Sequence, residues 1–371
     1  MATILGLRGT GDFVTGERPE SWHEGILYIW PHGKAPLLAL LSKGKKEKVS
    51  DWKIHWFEQD LVATREITVS DYDTTNHIVT FSAVAPVTVG TVLKQLDSDM
   101  ITIRLTTKIN DKKWYYTVLN GTESNLDTNV KLTVIGNAHK EGAQIPEAYS
   151  VQPTPQENYC QIFRVPVKVS RTAKQTKLRT GDLIAREKKE KLHMIGMDIE
   201  MAMLHGYGSS SEPRTMKGIY ELLAAGGYTT SGASLTLSAF WDILATVFAY
   251  GSPQKVAFGG AKAIKKLVEL VEGKIYVEPV VNVYGISLSR WVTPWGELLI
   301  KPHPLMTGNS QLTDDLIIVD FEHMTYCYLQ DIEYVDYKNN LGYDATIGEY
   351  IAECCIRLDN LRAHHYVYDI S

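Results

Sequence analysis

The chain has 371 residues, 44% of them apolar, enough for a sizeable core and two or three domains. Its 38 basic and 43 acidic residues leave a net charge of −5, which excludes a dedicated nucleic-acid binder built on a strongly basic domain. It contains no run of about 18 apolar residues and no charged start, apolar stretch and cleavage site of a signal peptide, so neither a membrane span nor secretion is expected.

Half of the eight tryptophans (Trp22, Trp30, Trp52 and Trp56) fall in the opening segment. GLRGTGDF (6–13) is glycine-rich with no apolar period, and residues 17–43 form an apolar run cut by Pro19, Pro31 and Pro36. Proline removes a backbone donor and fixes φ, so one continuous helix is not expected there. Large apolar groups with little local regularity must pack on the body of the chain or on another subunit, and residues 1–51 therefore read as an arm. Within it, KGKKEKVS (43–50) reads as a solvated basic loop.

From Trp52 to Lys168 the pattern is strand after strand. Residues 53–57, 66–69, 77–81, 100–107, 114–119 and 130–135 are rich in β-branched and aromatic types, with polar turns at 73–76 and 110–111. Strands this short and this close predict a compact antiparallel sheet or small barrel. Asn120-Gly121-Thr122 matches a glycosylation pattern but, without a secretion signal, reads as a turn. Residues 146–158 read as a polar connector, and 159–170 as one long strand.

The character changes after Arg179. Thr180 and Asp182 are candidate N-caps for a helix over 182–205, ended by Gly206 and Gly208. Ile184, Leu192, Ile195, Ile199 and Met203 recur at helical spacing, and REKKEK (186–191) supplies the charged side. Such a helix is a beam of roughly 35 Å. Beyond it the pattern is α/β: a helix over 237–249 stopped at Gly251, a strand at 255–258, and a second helix over 261–271. Strands follow near 275–277, 283–288 and 298–301, with a hairpin turn at Thr293-Pro294-Trp295-Gly296, then at 316–320 and 325–329. The tyrosine-rich C-terminal segment is expected to be tied into the fold.

The search for chemistry returns no site. Phe258-Gly259-Gly260-Ala261 sits between strand and helix, where amides could cradle a phosphate. It matches neither the Walker nor the dinucleotide pattern, so a tight turn is expected. His364 and His365 are adjacent and point to opposite faces in a strand. His193 and Glu200 lack the HExxH spacing of zinc proteases. Asp314, Asp315 and Asp320 could cluster, but alternation puts Asp315 and Asp320 on different faces. Cys160, Cys327, Cys354 and Cys355 are too few and too scattered for a disulfide framework or a zinc site, and read as reduced, partly buried thiols. No GxSxG motif occurs. The expectation is a non-enzyme with no catalytic, cofactor-binding or metal residues.

The order of features resembles the tailed-bacteriophage major capsid proteins of the Hong Kong 97-like fold, in the SU-ten-like capsid family. The matching stretches are GLRGTGDF (6–13), ERPESW (17–22), ILYIWPHGKAPLLALLSK (26–43), WKIHWFEQDL (52–61), KEGAQIP (140–146), NYCQIFRVPVKVSRT (158–172), EKLHMIGMDIEMAMLHG (190–206), MKGIYELL (216–223) and GYDATIGEYIAE (342–353). The opening, the long helix and the QIF strand are the most specific. The resemblance implies an α+β fold with an N-terminal arm (1–51) that crosses neighbouring subunits. It further implies an extended loop (52–170), with arms near 52–61 and 158–170 and an inserted β-domain at about 66–136. A peripheral domain (171–229 and 331–371) would carry the spine helix, about 182–205, and 230–330 would form an axial domain.

By the same resemblance, the chain would self-assemble into hexamers and pentamers of an icosahedral head, with Trp22, Tyr28 and Trp30 as arm anchors. The head would enclose double-stranded DNA without sequence-specific binding, in a virion made in the bacterial cytoplasm, with no membrane partner. A scaffolding protein, separate because no long helical region precedes the arm, would assist, along with a portal and a decoration protein. The competing readings are a receptor- or carbohydrate-binding virion protein, suggested by the β-rich insertion, and an α/β enzyme using the Gly259-Gly260 turn.

Overall fold

The computed structural model describes residues 36–59, 65–96, 101–123, 128–148, 152–177, 181–271, 277–283, 286–337 and 344–371. The arm anchors Trp22, Tyr28 and Trp30, the glycine-rich opening and Thr180 lie outside the described residues. The chain divides into two units, one formed by Met1–Ile54 with Glu157–Ser371 and the other by His55–Gln156.

Pro36, whose fixed φ suits a first helical turn, opens helix α1 (Pro36–Lys43), which buries Leu37, Leu40 and Leu41. Gly44 ends it by donating to the Leu40 and Leu41 carbonyls. The basic stretch that follows is no free loop. Strand β1 (Lys46–Lys48) pairs in parallel with Tyr326–Tyr328. All three of its side chains are exposed, so solvation was read correctly, but its backbone satisfies an otherwise open sheet edge.

Strand β2 (Lys53–Glu58) leads into the second unit, where β3 (Glu66–Asp73), β4 (Ile78–Phe81), β5 (Thr91–Gln95), β6 (Thr102–Lys108), β7 (Lys113–Asn120) and β8 (Lys131–Asn137) close a barrel in the order β3-β4-β7-β6-β5-β8. Period-2 alternation turns Val69, Val79, Leu93, Ile103, Leu105 and Trp114 inward. Asp73 accepts from the Thr75 and Asn76 amides, and Asn110 from those of Lys112 and Lys113. These side-chain bonds are what make the two polar clusters turns. Strand β5, absent from the sequence reading, links β6 to β8 and completes the closure. Its inward positions include Thr91 and Gln95, so its apolar alternation is weak.

The supposed connector ends in strand β9 (Thr154–Tyr159), which forms a two-stranded ribbon with β2. The expected single strand over 159–170 is broken at Cys160, and β10 (Gln161–Ser170) pairs instead with the C-terminal hairpin. The partner of β2 is thus 154–159 rather than 158–170. Asn158 sets the break. Fully buried, it donates to the Lys217 (3.0 Å) and Ile356 (2.7 Å) carbonyls and accepts from the Lys217 amide.

A short helix α2 (Arg171–Gln175), capped by Ser170, precedes the long α3 (Leu183–His205). Asp182 caps α3 by accepting from Ile184 N–H at 2.9 Å. Ile195, Ile199 and Met203 are buried as read, whereas Leu192 is 42% exposed and lies off the packed stripe. Helix α4 (Ile219–Ala225) and strand β11 (Thr229–Ser231) follow.

The rest of the chain builds two sheets. Helix α5 (Leu237–Phe248, N-cap Thr236), β12 (Gln254–Gly259), α6 (Ala261–Val271), β13 (Val277–Val283), β14 (Ile286–Thr293), β15 (Gly296–Pro302), α7 (Pro304–Thr307) and β16 (Leu316–Val319) come first. The long hairpin β17 (Met324–Tyr337) and β18 (Ala345–Leu358) comes next, and β19 (His365–Tyr368) last. One sheet runs β1-β17-β18-β10, the other β11-β19-β16-β12-β15-β14-β13. Helices α5 and α6 pack Phe240, Leu244 and Leu267 against Leu298, Ile318 and Val367 of the larger sheet. The strand expected at 283–288 is instead the start of a hairpin, with Val283 opposite Ile286. The turn at 293–296 is as read, with Thr293 Oγ1 accepting from Gly296 N–H at 3.1 Å. The C-terminus is tied in: β19 lies between β11 and β16.

Candidate functional site

The Gly259-Gly260 turn is occupied by the protein itself. Gly260 N–H donates to Asp315 O at 3.0 Å, and the Lys262 and Ala263 amides donate to Thr313 O at 3.0 and 3.2 Å. A Cβ on Gly260 would collide with the Thr313 backbone, so glycine is there for close approach. The amides a phosphate would need are already taken, which favours the turn over the cradle.

The other sequence candidates are dispersed. Asp314 pairs with Lys262 at 3.5 Å. Asp315 accepts from Tyr366 Oη at 2.7 Å and from the Asp369 amide at 3.1 Å, beside a cavity of about 380 Å³ lined by His205, Tyr220 and Tyr368 among others. Asp320 is buried elsewhere. Among the described residues no three His, Cys, Asp or Glu side chains are grouped to hold a metal, and no helix is long and apolar enough to cross a membrane.

The adjacent histidines diverge as alternation required. His364 Nδ1 accepts from the Asp320 amide at 3.1 Å, and His365 Nε2 lies 2.9 Å from Thr230 Oγ1. Burial pushes both imidazoles down to about 4. An unfolded histidine takes its proton near pH 6.5, so stability from the neutral rings is complete above that value and is lost as pH falls toward 4. Each contributes up to roughly 3 kcal/mol. Urea midpoints should therefore drop between pH 7 and pH 5; a flat profile would rule this out.

The cysteines, scattered in sequence, are gathered by the smaller sheet. All four are fully buried rather than partly so. Cys355 faces Cys327 across the hairpin, and its Sγ lies 3.7 Å from Cys160 Sγ. Its neighbour Cys354 is set against Tyr326. Hydrogen bonds with Cys160 and Cys327, added to burial, push the Cys355 thiol well up; burial pushes Cys354 up to about 12. Thiols held protonated and shielded are poor nucleophiles. Ellman's reagent should titrate none of the four in the native protein within minutes and all four in denaturant; prompt labelling of the native chain would contradict the arrangement.

Two buried polar centres escaped the sequence reading. Lys255 and Asp320, both with fully buried side chains, pair at 3.2 Å. The Lys255 ammonium also donates to the Tyr250 and Ala363 carbonyls at 3.0 Å each. The signal was a lysine inside the apolar strand QKVAFG. The other centre is Glu200 on α3, also fully buried. One carboxylate oxygen accepts from Leu37 N–H (2.8 Å) and lies 2.8 Å from His303 Nε2; the other accepts from Leu38 N–H (2.7 Å). The signal was an acid inside the apolar stripe Ile195, Ile199 and Met203. His193, seven residues earlier, is partly exposed.

These centres join elements to one another. A family model described as SU10 major capsid protein matches residues 8–371. The major capsid protein of Pseudomonas phage PaMx41 is 24% identical over 380 residues, covering 90% of this chain and 88% of that protein. Among solved structures, the capsid of the empty GTA particle computed with C5 symmetry is similar at a TM-score of 0.51 and 9% identity, covering 96% of this chain and 98% of that one. A chain from Mycobacterium phage Adephagia is similar at 0.50 and 10% identity, covering 98% of both.

Proposed function

The chain belongs to the SU10 major capsid protein family and has the Hong Kong 97-like capsid fold, and from that premise we propose that it self-assembles into hexamers and pentamers of an icosahedral tailed-phage head enclosing double-stranded DNA. The observation that carries this reading is the family match along nearly the whole chain. It is a structural protein of the virion capsid, made in the cytoplasm of the bacterial host, and it acts by repetition: modest contacts with several neighbours sum to a closed shell.

The arm (1–51) reaches neighbouring subunits, the segment 52–170 with its barrel forms the extended loop and insertion, and α3 is the spine of the peripheral domain. The module of about 230–330, joined by β19, surrounds the capsomer axis. A scaffolding protein and a portal take part, with a decoration protein on the finished shell. The net charge of −5 suits a container that encloses DNA without gripping it, because neutralised phosphates would make binding tight and salt-dependent.

The test is expression of the full chain, alone and with its phage's scaffolding protein, followed by sedimentation and electron microscopy. Shells of uniform size are expected. A small oligomer that binds a glycan would favour a receptor-binding role. A monomer that binds a nucleotide would favour an enzyme.

A further inference from the structure

We propose that Glu200 is a positioning residue for assembly: it fixes the point and direction at which the N-terminal arm meets the subunit. This rests on the self-assembly reading above.

Helix α1 cannot cap itself. The residue before it is Ala35, which has no side-chain acceptor, and Pro36 has no N–H, so the first free donors of the helix are Leu37 and Leu38. Glu200, 163 positions away from Leu37, meets both. A negative charge at a helix N-terminus is favoured by the orphan amides and by the helix dipole. The oxygen that meets Leu37 also lies 2.8 Å from His303 Nε2. His303 is the N-cap residue of α7, its amide donates to Gly259 O at 2.8 Å, and its ring stands edge-on to Phe258 at 5.7 Å. Its Nδ1 has no hydrogen-bond partner among the described residues, so the side-chain hydrogen bond of the imidazole there is the one with Glu200.

One buried carboxylate thus ties together the arm-bearing helix, the long helix α3 and the larger sheet. The leucines of α1 would hold it to the body without Glu200, but apolar burial is non-directional and permits sliding or rotation. Charge-assisted bonds to two successive amides permit neither. Pro36 and the first turn of α1 are therefore fixed in place and direction, which is what an arm joined there would need to reach its site on a second copy in register.

The test uses the full chain. Glu200→Gln keeps the shape but removes the charge and replaces one acceptor oxygen with an NH2 group. In the unassembled E200Q chain, trypsin cleavage after Lys43, at the end of α1, should rise tenfold or more. Shell yield should fall by at least tenfold while the main melting transition is retained. Adding Ala35→Asp supplies a local N-cap. The double variant should regain protection at Lys43 without regaining shells, because the helix is rebuilt but no longer tied to α3 and His303. Wild-type yield from E200Q, or full rescue of shells by A35D, would reduce Glu200 to a helix stabiliser and overturn the proposal. If E200Q does not fold, His303→Phe carries the test: shells should fall several-fold with Lys43 still protected, and unchanged yield would count against three-way anchoring. A wild-type chain that never forms shells would defeat the assembly reading itself; wild-type shells matched by E200Q would defeat this inference alone.

Discussion

Deleting residues 1–42 should lower the stability of the larger unit by about 6 kcal/mol or more beyond whatever deleting 1–35 costs. The difference is α1. Leu37, Leu40 and Leu41 are 0%, 3% and 1% exposed, and each fully buried leucine contributes about 2 kcal/mol. The longer deletion also strips the buried Glu200 carboxylate of two amide donors, at a further cost of about 1 to 3 kcal/mol. Read from the sequence alone, the arm extends through residue 51; by burial, its last part is a component of the body. Neither truncated chain should form shells, the shorter deletion for want of the arm and the longer one also for want of a stable subunit. Urea denaturation followed by circular dichroism, with light scattering for assembly, separates the two. Equal midpoints for both truncations would show that α1 is dispensable to the fold.

Asp320→Ala should cost about 3–5 kcal/mol, the range for breaking one side of a buried ion pair. Asp320 accepts from Ser252 N–H (2.6 Å), Ser252 Oγ (2.9 Å) and Glu322 N–H (2.9 Å) besides pairing with Lys255. Its neighbour Gly251 sits at φ +76°, and a Cβ there would strike the Asp320 carboxylate, so the turn after α5 is shaped around this group. Burial alone would push the Asp320 carboxyl up. The Ser252 amide and the Lys255 ammonium outweigh it and hold the group below the ordinary carboxylate range. The carboxylate's contribution is therefore complete above that range and is lost only as pH falls through the depressed value. Removing it strands an ammonium whose remaining acceptors are two carbonyls, against the Phe248 ring 5.6 Å away. Lys255→Met with Asp320→Asn should cost less than the sum of the single changes, because no unpaired charge is left. Additive losses in thermal or urea melts would mean that the pair is not coupled.

Sequence patterns carried most of the local structure because their causes are local. Asp182 and Thr236 cap helices through bonds to amides two or three residues on, and the helix expected over 261–271 is α6. The β-branched and aromatic enrichment of β3, β6 and β7 is likewise a local property. Where a strand owes its place to distant partners, the pattern fell silent. The edge strand β1 has three exposed charged side chains and exists because Tyr326–Tyr328 offer a ladder. The barrel strand β5 was hidden by inward Thr91 and Gln95, and the split at Cys160 depends on what Asn158 touches at Lys217 and Ile356.

The resemblance to a capsid subunit was carried by particular stretches in a consistent order, among them GLRGTGDF (6–13), NYCQIFRVPVKVSRT (158–172) and EKLHMIGMDIEMAMLHG (190–206), and such stretches are a property of the linear text. What that text could not express is which charged side chains go inside. Glu200 and Lys255 are ordinary surface residue types by composition, and each is tolerable in a core only where donors or acceptors from remote segments converge on it. Leu37 lies 163 positions from Glu200 and Asp320 lies 65 from Lys255, so the tertiary fold alone decides that these charges are met.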